Sequence, residues 1–341
     1  MRIGCLTGGG DCPGLNAVIR AVVKRATRSG DEVLGIHNGW AGLINGFVEP
    51  MTEFTVTGIL PKGGTILGTS RTNPFKSQET LQKTHAHFKK FGLGALIAIG
   101  GEDTLGVAQK FHAEGMPVVG VPKTIDNDLA GTDYTFGFDT AVNVVMEAID
   151  RLHSTAESHH RIMVVEVMGR DSGWIATIAG MAGGADYILV PEKPYDINDL
   201  VTSLKHRKER GREFSIVVVA EGAVPKGGKE ITQQGGVDEF GHVRLGGIGA
   251  DIASTLEKMT GWETRVTILG HVQRGGTPTA FDRVLGTRFG IRAVKLVKEG
   301  KFGRMVSLSG SKIVDVPLPE PGQEKRYLDP DLLTDAETFF S

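Results

Sequence analysis

Two short segments hold residue types that together suit phosphate and metal chemistry. Gly100-Gly101-Glu102-Asp103-Thr104 and Pro122-Lys123-Thr124-Ile125-Asp126-Asn127-Asp128 supply four carboxylates, one lysine and a bare Gly-Gly backbone. Each follows an apolar run, Ala95–Ile99 and Pro117–Val121, that reads as a buried strand. Both therefore belong at the C-terminal edge of a parallel sheet, where α/β proteins bind ligands. If residues 124–128 are extended, Asp126 and Asp128 point the same way. One could then serve as base for a hydroxyl and the other as support or metal ligand. The same composition suits an Asx-rich turn equally well; the second acidic cluster on a neighbouring strand end tips the balance towards chemistry.

Other loops repeat the pattern. Thr7-Gly8-Gly9-Gly10-Asp11-Cys12-Pro13-Gly14 joins a first strand to a first helix and reads equally as an anion site at a helix N-terminus or as a tight turn. It matches neither the P-loop nor the dinucleotide fingerprint. Cys12 reads as a small filler. Gly63-Gly64-Thr65-Ile66-Leu67-Gly68-Thr69-Ser70-Arg71 ends in an arginine whose fork could stabilise charge on a transferring phosphoryl group. Met168-Gly169-Arg170, Glu221-Gly222, Glu263-Thr264-Arg265 and His271-Val272-Gln273-Arg274 each read as placing polar groups near a strand's C-terminal end, and Arg161 just before its strand. Arginines with a histidine suit a phosphate monoester, and a lone glutamate suits sugar hydroxyls. His159-His160, with no acidic or cysteine partner nearby, reads as a solvated loop.

The elements that must position these loops alternate as strand and helix. Strands are expected at 2–7, 32–37, 95–99, 117–121, 161–167, 187–190, 213–220 and 264–269. Helices are expected near 15–29, 77–91, 104–114, 139–157, 172–184, 197–210, 248–260 and 281–298. Leu15, Val18, Ile19, Val22, Val23 and Ala26 follow a 3.6 period. Continuous runs such as Ile216-Val217-Val218-Val219 imply parallel sheets covered on both faces by helices. Glycine, 48 of 341 residues, stands at roughly twice its usual share and clusters after strands, where backbone approaches something closely. Residues 224–247 read as a surface excursion.

The totals exclude several classes. A net charge of −2 argues against nucleic acid or an anionic membrane as main partner. No apolar run approaches the roughly 18 residues of a membrane span. Met1-Arg2 leads straight into a strand, so no signal peptide is expected. Two cysteines, Cys5 and Cys12, are too few for a disulfide scaffold. A cytoplasmic enzyme is the economical reading.

Taken in order, Gly9-Gly10-Asp11-Cys12-Pro13-Gly14-Leu15-Asn16, Gly100-Gly101-Glu102, Thr124-Ile125-Asp126-Asn127-Asp128, Met168-Gly169-Arg170, Glu221-Gly222 and Gly270-His271-Val272-Gln273-Arg274-Gly275-Gly276 resemble the 6-phosphofructokinases. The resemblance runs to about Leu318. It implies two Rossmann-like three-layer α/β domains with mainly parallel sheets and an active site in the cleft between them. Residues 1–137 with 273–323 would form the phosphoryl-donor domain, and 138–272 with 324–341 the fructose 6-phosphate domain. It further implies that Gly10 and Arg71 hold the donor, that Glu102 holds Mg2+, and that Asp126 is the base for the sugar 1-hydroxyl. Thr124 and Asp128 support that base, and Arg71 assists transfer. Arg161 and Arg265, from a neighbouring subunit, bind the 6-phosphate with His271 and Arg274; Met168, Gly169, Arg170 and Glu221 contact the sugar. The protein would be a homo-oligomer, dimer or tetramer, with shared active sites.

Asp103 and Lys123 choose the donor. In this family ATP-using members typically carry glycine there, because the nucleotide's α-phosphate needs the space. A carboxylate fills it and repels the phosphate by about 4 kcal/mol at about 4 Å and an effective dielectric near 20, roughly a thousandfold in affinity. Lys123 is then expected to pair with Asp103 and to neutralise pyrophosphate. The expected reaction is reversible phosphoryl transfer from pyrophosphate to fructose 6-phosphate, with an ATP-dependent phosphofructokinase and a non-catalytic sugar-phosphate or nucleotide sensor as alternatives. Arg20 and Lys24 match a basic effector pocket of ATP-dependent bacterial members. Glu53 and His153 do not, which implies an unregulated enzyme.

Overall fold

The computed structural model describes residues 1–228, 245–320 and 322–340, so most of the expected 224–247 excursion lies outside the described residues. The chain begins β1 (Arg2–Thr7), α1 (Leu15–Thr27), β2 (Glu32–Ile36), α2 (Trp40–Asn45), β3 (Val48–Met51), α3 (Gln78–Lys90), β4 (Leu93–Gly100), α4 (Glu102–Ala113), β5 (Val118–Thr124) and β6 (Phe136–Gly137). A long helix, α5 (Phe138–His159), leads to β7 (Ile162–Val167), α6 (Trp174–Ala182), β8 (Tyr187–Leu189), α7 (Ile197–Glu209), β9 (Ser215–Ala220), α8 (Ile248–Thr260) and β10 (Thr264–Ile268). The chain then forms α9 (Ala280–Lys298), β11 (Arg304–Ser309), β12 (Lys312–Pro317) and α10 (Pro330–Glu337).

Two sheets result. The larger runs β12-β11-β5-β4-β1-β2-β3 with β6 beside β5, and the smaller runs β10-β7-β9-β8. This is the expected α/β class with mainly parallel sheets; only the flanking strands β3 and β12 pair antiparallel. The central strands are buried throughout, as Ile97-Ala98-Ile99 and Val217-Val218-Val219 show, because helices cover both faces. One apolar core continues through Ile97, Val121, Phe138, Ile149, Val165 and Val218 and joins the sheets.

The stripe Leu15, Val18, Ile19, Val22, Val23 of α1 is buried and packs on α9. Fully burying such side chains contributes about 1.5–3 kcal/mol each. Gly290 on α9 makes the close approach possible, since a Cβ there would stand 2.7 Å from the Val18 carbonyl oxygen. The neighbours β4 and β5 run in parallel with the last residue of β4, Gly100, opposite Pro122, two residues before β5 ends. That register sets the Glu102–Asp103 turn beside the Thr124–Asp128 turn.

Candidate active site

A cleft of about 190 Å³ opens between the C-terminal edges of the two sheets. Its walls carry Gly10, Arg71, Glu102, Asp103, Lys123, Thr124, Asp126 and Asp128 from the larger sheet's loops. From the far side come Met168, Arg170, Glu221 and Arg274. Twelve expected site residues thus face one space. Gly169 turns at φ 138° behind this wall, its Cβ direction blocked 2.6 Å away by the Ser172 carbonyl.

Glu102 and Asp103 occupy the first turn of α4, where exposed N–H groups and the helix dipole favour negative charge. The Thr124–Asp128 segment departs from the extended form considered above: β5 stops at Thr124, and Asn127 takes φ +54°. The bend is over-determined. The Asp126 N–H donates to Thr124 Oγ1 at 3.1 Å, and the Thr135 N–H donates to Asn127 Oδ1 at 3.0 Å. The Ser172 hydroxyl donates to the Asp126 carbonyl at 3.2 Å. Asn tolerates the left-handed region because its side chain bonds locally. Both carboxylates reach the cleft because the chain turns, not because alternate residues share a face.

The field in the cleft is mixed. Burial pushes Asp126 above the ordinary carboxyl range, against the pull of Arg274 and Lys325. Burial, and then Asp126 itself, pushes Asp128 up to about 7. Glu221 rises to about 7 through burial and the nearby Asp126, with Arg170 opposing. One oxygen of Asp126, Oδ1, is buried without a hydrogen-bond partner; such an atom is costly to leave unpaired.

Lys123 is 3% exposed, and burial pushes its ammonium down. It donates to the Gly10 carbonyl and lines the cleft together with Asp103. Arg274 lies against the same loop, donating to the Asp11 carbonyl at 3.3 Å. A Cβ on Gly10 would stand 2.6 Å from the Arg274 guanidinium, so a larger residue there would push that side chain aside.

Three expected residues stay outside the cleft. Arg161 pairs with Glu263 at 2.8 Å, and Arg265 pairs with the same carboxylate. Arg161 precedes β7 and Arg265 is the second residue of β10. In parallel strands both positions lie at the edge opposite the site. The reading that put Arg265 near a strand's C-terminal end is corrected accordingly. His271 is exposed on the short 3-10 turn Gly270–Arg274. Within that turn the fully buried Gln273 accepts from the Met168 N–H at 3.2 Å and ties the two loops together.

Sequence reasoning missed three contributors. Gln273 stood inside a quoted motif, and Asp171 directly follows Met168-Gly169-Arg170. Lys325 had no signal at all: it comes from the C-terminal tail and reaches the cleft. Cys12 is buried, and burial pushes its thiol up to about 12, which leaves it a packing group.

The fold and the cleft define an α/β phosphotransferase whose glycine-lined, acid-bearing strand ends face arginines across a gap. A family model described as Phosphofructokinase matches residues 2–297, and the chain belongs to that family. It is 57% identical over 341 residues, the full length of both chains, to the pyrophosphate–fructose 6-phosphate 1-phosphotransferase of Amycolatopsis methanolica. It is 53% identical, again over both full lengths, to the ATP-dependent 6-phosphofructokinase 2 of Streptomyces coelicolor. Phosphofructokinase from Saccharomyces cerevisiae superposes with a TM-score of 0.83 at 34% identity, over 93% of this chain and 44% of that one. Identity this even across two donors cannot separate them, so the side chains of the cleft must.

Proposed function

We propose that this protein catalyses reversible transfer of a phosphoryl group from pyrophosphate to the 1-hydroxyl of fructose 6-phosphate, giving fructose 1,6-bisphosphate and phosphate. The observation that carries the donor is Asp103 and Lys123 lining the cleft together with Gly10 and Arg71. A fixed carboxylate there disfavours the innermost phosphate of a nucleotide. A buried ammonium on the Gly10 carbonyl supplies positive charge to a donor that has no adenosine to anchor it.

Phosphoryl transfer passes through a loose transition state, so alignment and charge neutralisation dominate. In this reading Gly10 and Arg71 hold the donor, and Arg71 steadies the moving phosphoryl group. Asp126 accepts the proton of the 1-hydroxyl, with Thr124 fixing its turn and Asp128 beside it. Met168, Gly169, Arg170 and Glu221 orient the sugar, while Arg274 spans the two halves.

Among the described residues no three His, Cys, Asp or Glu side chains converge into a ready-made metal cluster. Mg2+ binds through one or two carboxylates plus substrate phosphates, and Glu102, Asp103, Asp126 and Asp128 line the cleft. Glu102 would hold the ion, and the buried Asp126 Oδ1, which has no hydrogen-bond partner, belongs to a residue lining the same cleft. When bound it supplies charge neutralisation at the phosphates.

The same reading makes the protein a homo-oligomer, dimer or tetramer, in which Arg161, Arg265 and His271 complete a neighbour's sugar-phosphate pocket. Edge strand β10 supports it: Val266 is 38% and Ile268 52% exposed, with Val272 at 61% nearby. An uncovered apolar edge invites a second copy. Residues 1–137 with 273–323 then serve as donor domain, and 138–272 with 324–341 as sugar domain. Lys24 pairs with Glu53 at 3.3 Å, which neutralises an expected effector position and fits an unregulated, cytoplasmic enzyme.

A coupled assay with fructose 6-phosphate tests the donor. Turnover is expected with pyrophosphate and not with ATP. Turnover from ATP alone would overturn the reading, and none from either donor would leave a non-catalytic sensor.

A further inference from the structure

Beyond β12 the tail crosses the site instead of ending at the sheet edge. The Arg326 N–H donates to the Asp128 carbonyl at 2.9 Å, and its guanidinium donates to the Asn127 carbonyl at 3.2 Å. That guanidinium lies 4.1 Å over the Trp174 ring, and Trp174 Nε1 donates back to the Arg326 carbonyl at 3.2 Å. The Glu192 carboxylate accepts from the N–H groups of both Gly173 and Leu328. The strap is thus bolted to the catalytic turn and to the start of α6.

The bolting leaves Lys325 aimed into the cleft. Its ammonium stands 2.5 Å from Asp171, 3.5 Å from Glu102 and 3.9 Å from Asp128, carboxylates from three separate loops and both sheets. No other described lysine has three acidic side chains within ion-pair reach in the cleft. An ammonium is a compact charge on a flexible stem with three rotatable donors. It can turn from a carboxylate to a phosphate oxygen without moving the strap. Lys123, by contrast, is sunk on a backbone carbonyl.

We infer that Lys325 is a pyrophosphate-binding residue, held on Asp171, Glu102 and Asp128 until the donor enters and then bonded to one of its phosphate oxygens. This rests on the pyrophosphate reading above and adds a contact from a part of the chain that no motif marks.

Lys325→Met keeps the stem and removes the charge. Binding of methylenediphosphonate, a non-transferring pyrophosphate analogue, would be measured by calorimetry with magnesium present. The KM values for pyrophosphate and fructose 6-phosphate would be measured alongside. We expect analogue affinity to fall and pyrophosphate KM to rise at least tenfold, fructose 6-phosphate KM to stay within twofold, and Lys325→Arg to recover most of the loss. Trp174 emission, taken as the part of the tryptophan signal lost in Trp174→Phe, reports strap docking and should not change.

Analogue affinity and pyrophosphate KM within twofold of wild type overturn the inference. So does a loss that comes with altered Trp174 emission and is matched by Glu192→Gln, which loosens the strap but keeps the ammonium. A wild-type protein that neither binds the analogue nor uses pyrophosphate overturns the donor reading itself, and this inference with it.

Discussion

The wall proposed for the donor draws on adjacent strands of one sheet, whereas the arginines expected for the 6-phosphate sit at the far edge of the other. Glu102 and Asp103 follow β4, Lys123 is the last but one residue of β5 and Asp126 lies just past that strand's end; Gly100 pairs with Pro122 across these two strands, so one chain brings them together. Arg161 and Arg265 begin β7 and β10 and share Glu263 at the surface, so the same chain cannot turn them into its own cleft. The comparison teaches that neighbouring sequence motifs converge only when they sit at the same end of parallel strands. Where they do not, the proposed function draws the missing groups from a second copy.

The largest expected effect lies on the complete wall. Asp126→Ser removes the proposed base and should lower kcat about a thousandfold or more with little change in either KM, read in the coupled assay. A mild effect would give the proton to another group. On the incomplete wall, Arg265→Ala should raise fructose 6-phosphate KM by about 10- to 100-fold while pyrophosphate KM stays within threefold. Mixing the two variants during refolding sharpens the comparison: at low fructose 6-phosphate, shared sites should restore part of the activity that both variants lack there. No recovery in verified mixed oligomers would place the sugar-phosphate site within one chain.

Much of the fold was legible because central strands are unbroken apolar runs and glycine loops follow them. The flanking strands were not. β3 carries Pro50, and β12 carries Lys312, Asp315 and Pro317. Proline and charge are how edge strands resist further pairing, and they erase the apolar signature. α10 was missed for a related reason, as only Leu333 and Ala336 on it are buried. In the site, residue identities at 100–104 and 122–128 were readable, but the backbone at Asn127 was not. Its left-handed bend follows from partners eight and more residues away. Lys325 was invisible because only the tertiary crossing of the tail brings it near Asp171.

The central claim is that Asp103 and Lys123 set the donor. It is tested most directly by the ratio of kcat/KM for pyrophosphate to that for ATP, measured in the wild type and in the double variant Asp103→Gly with Lys123→Gly. The account predicts that ATP turnover, absent in the wild type, appears in the double variant while pyrophosphate kcat/KM falls at least a hundredfold, so that the ratio collapses. A ratio unchanged in a folded double variant would contradict it.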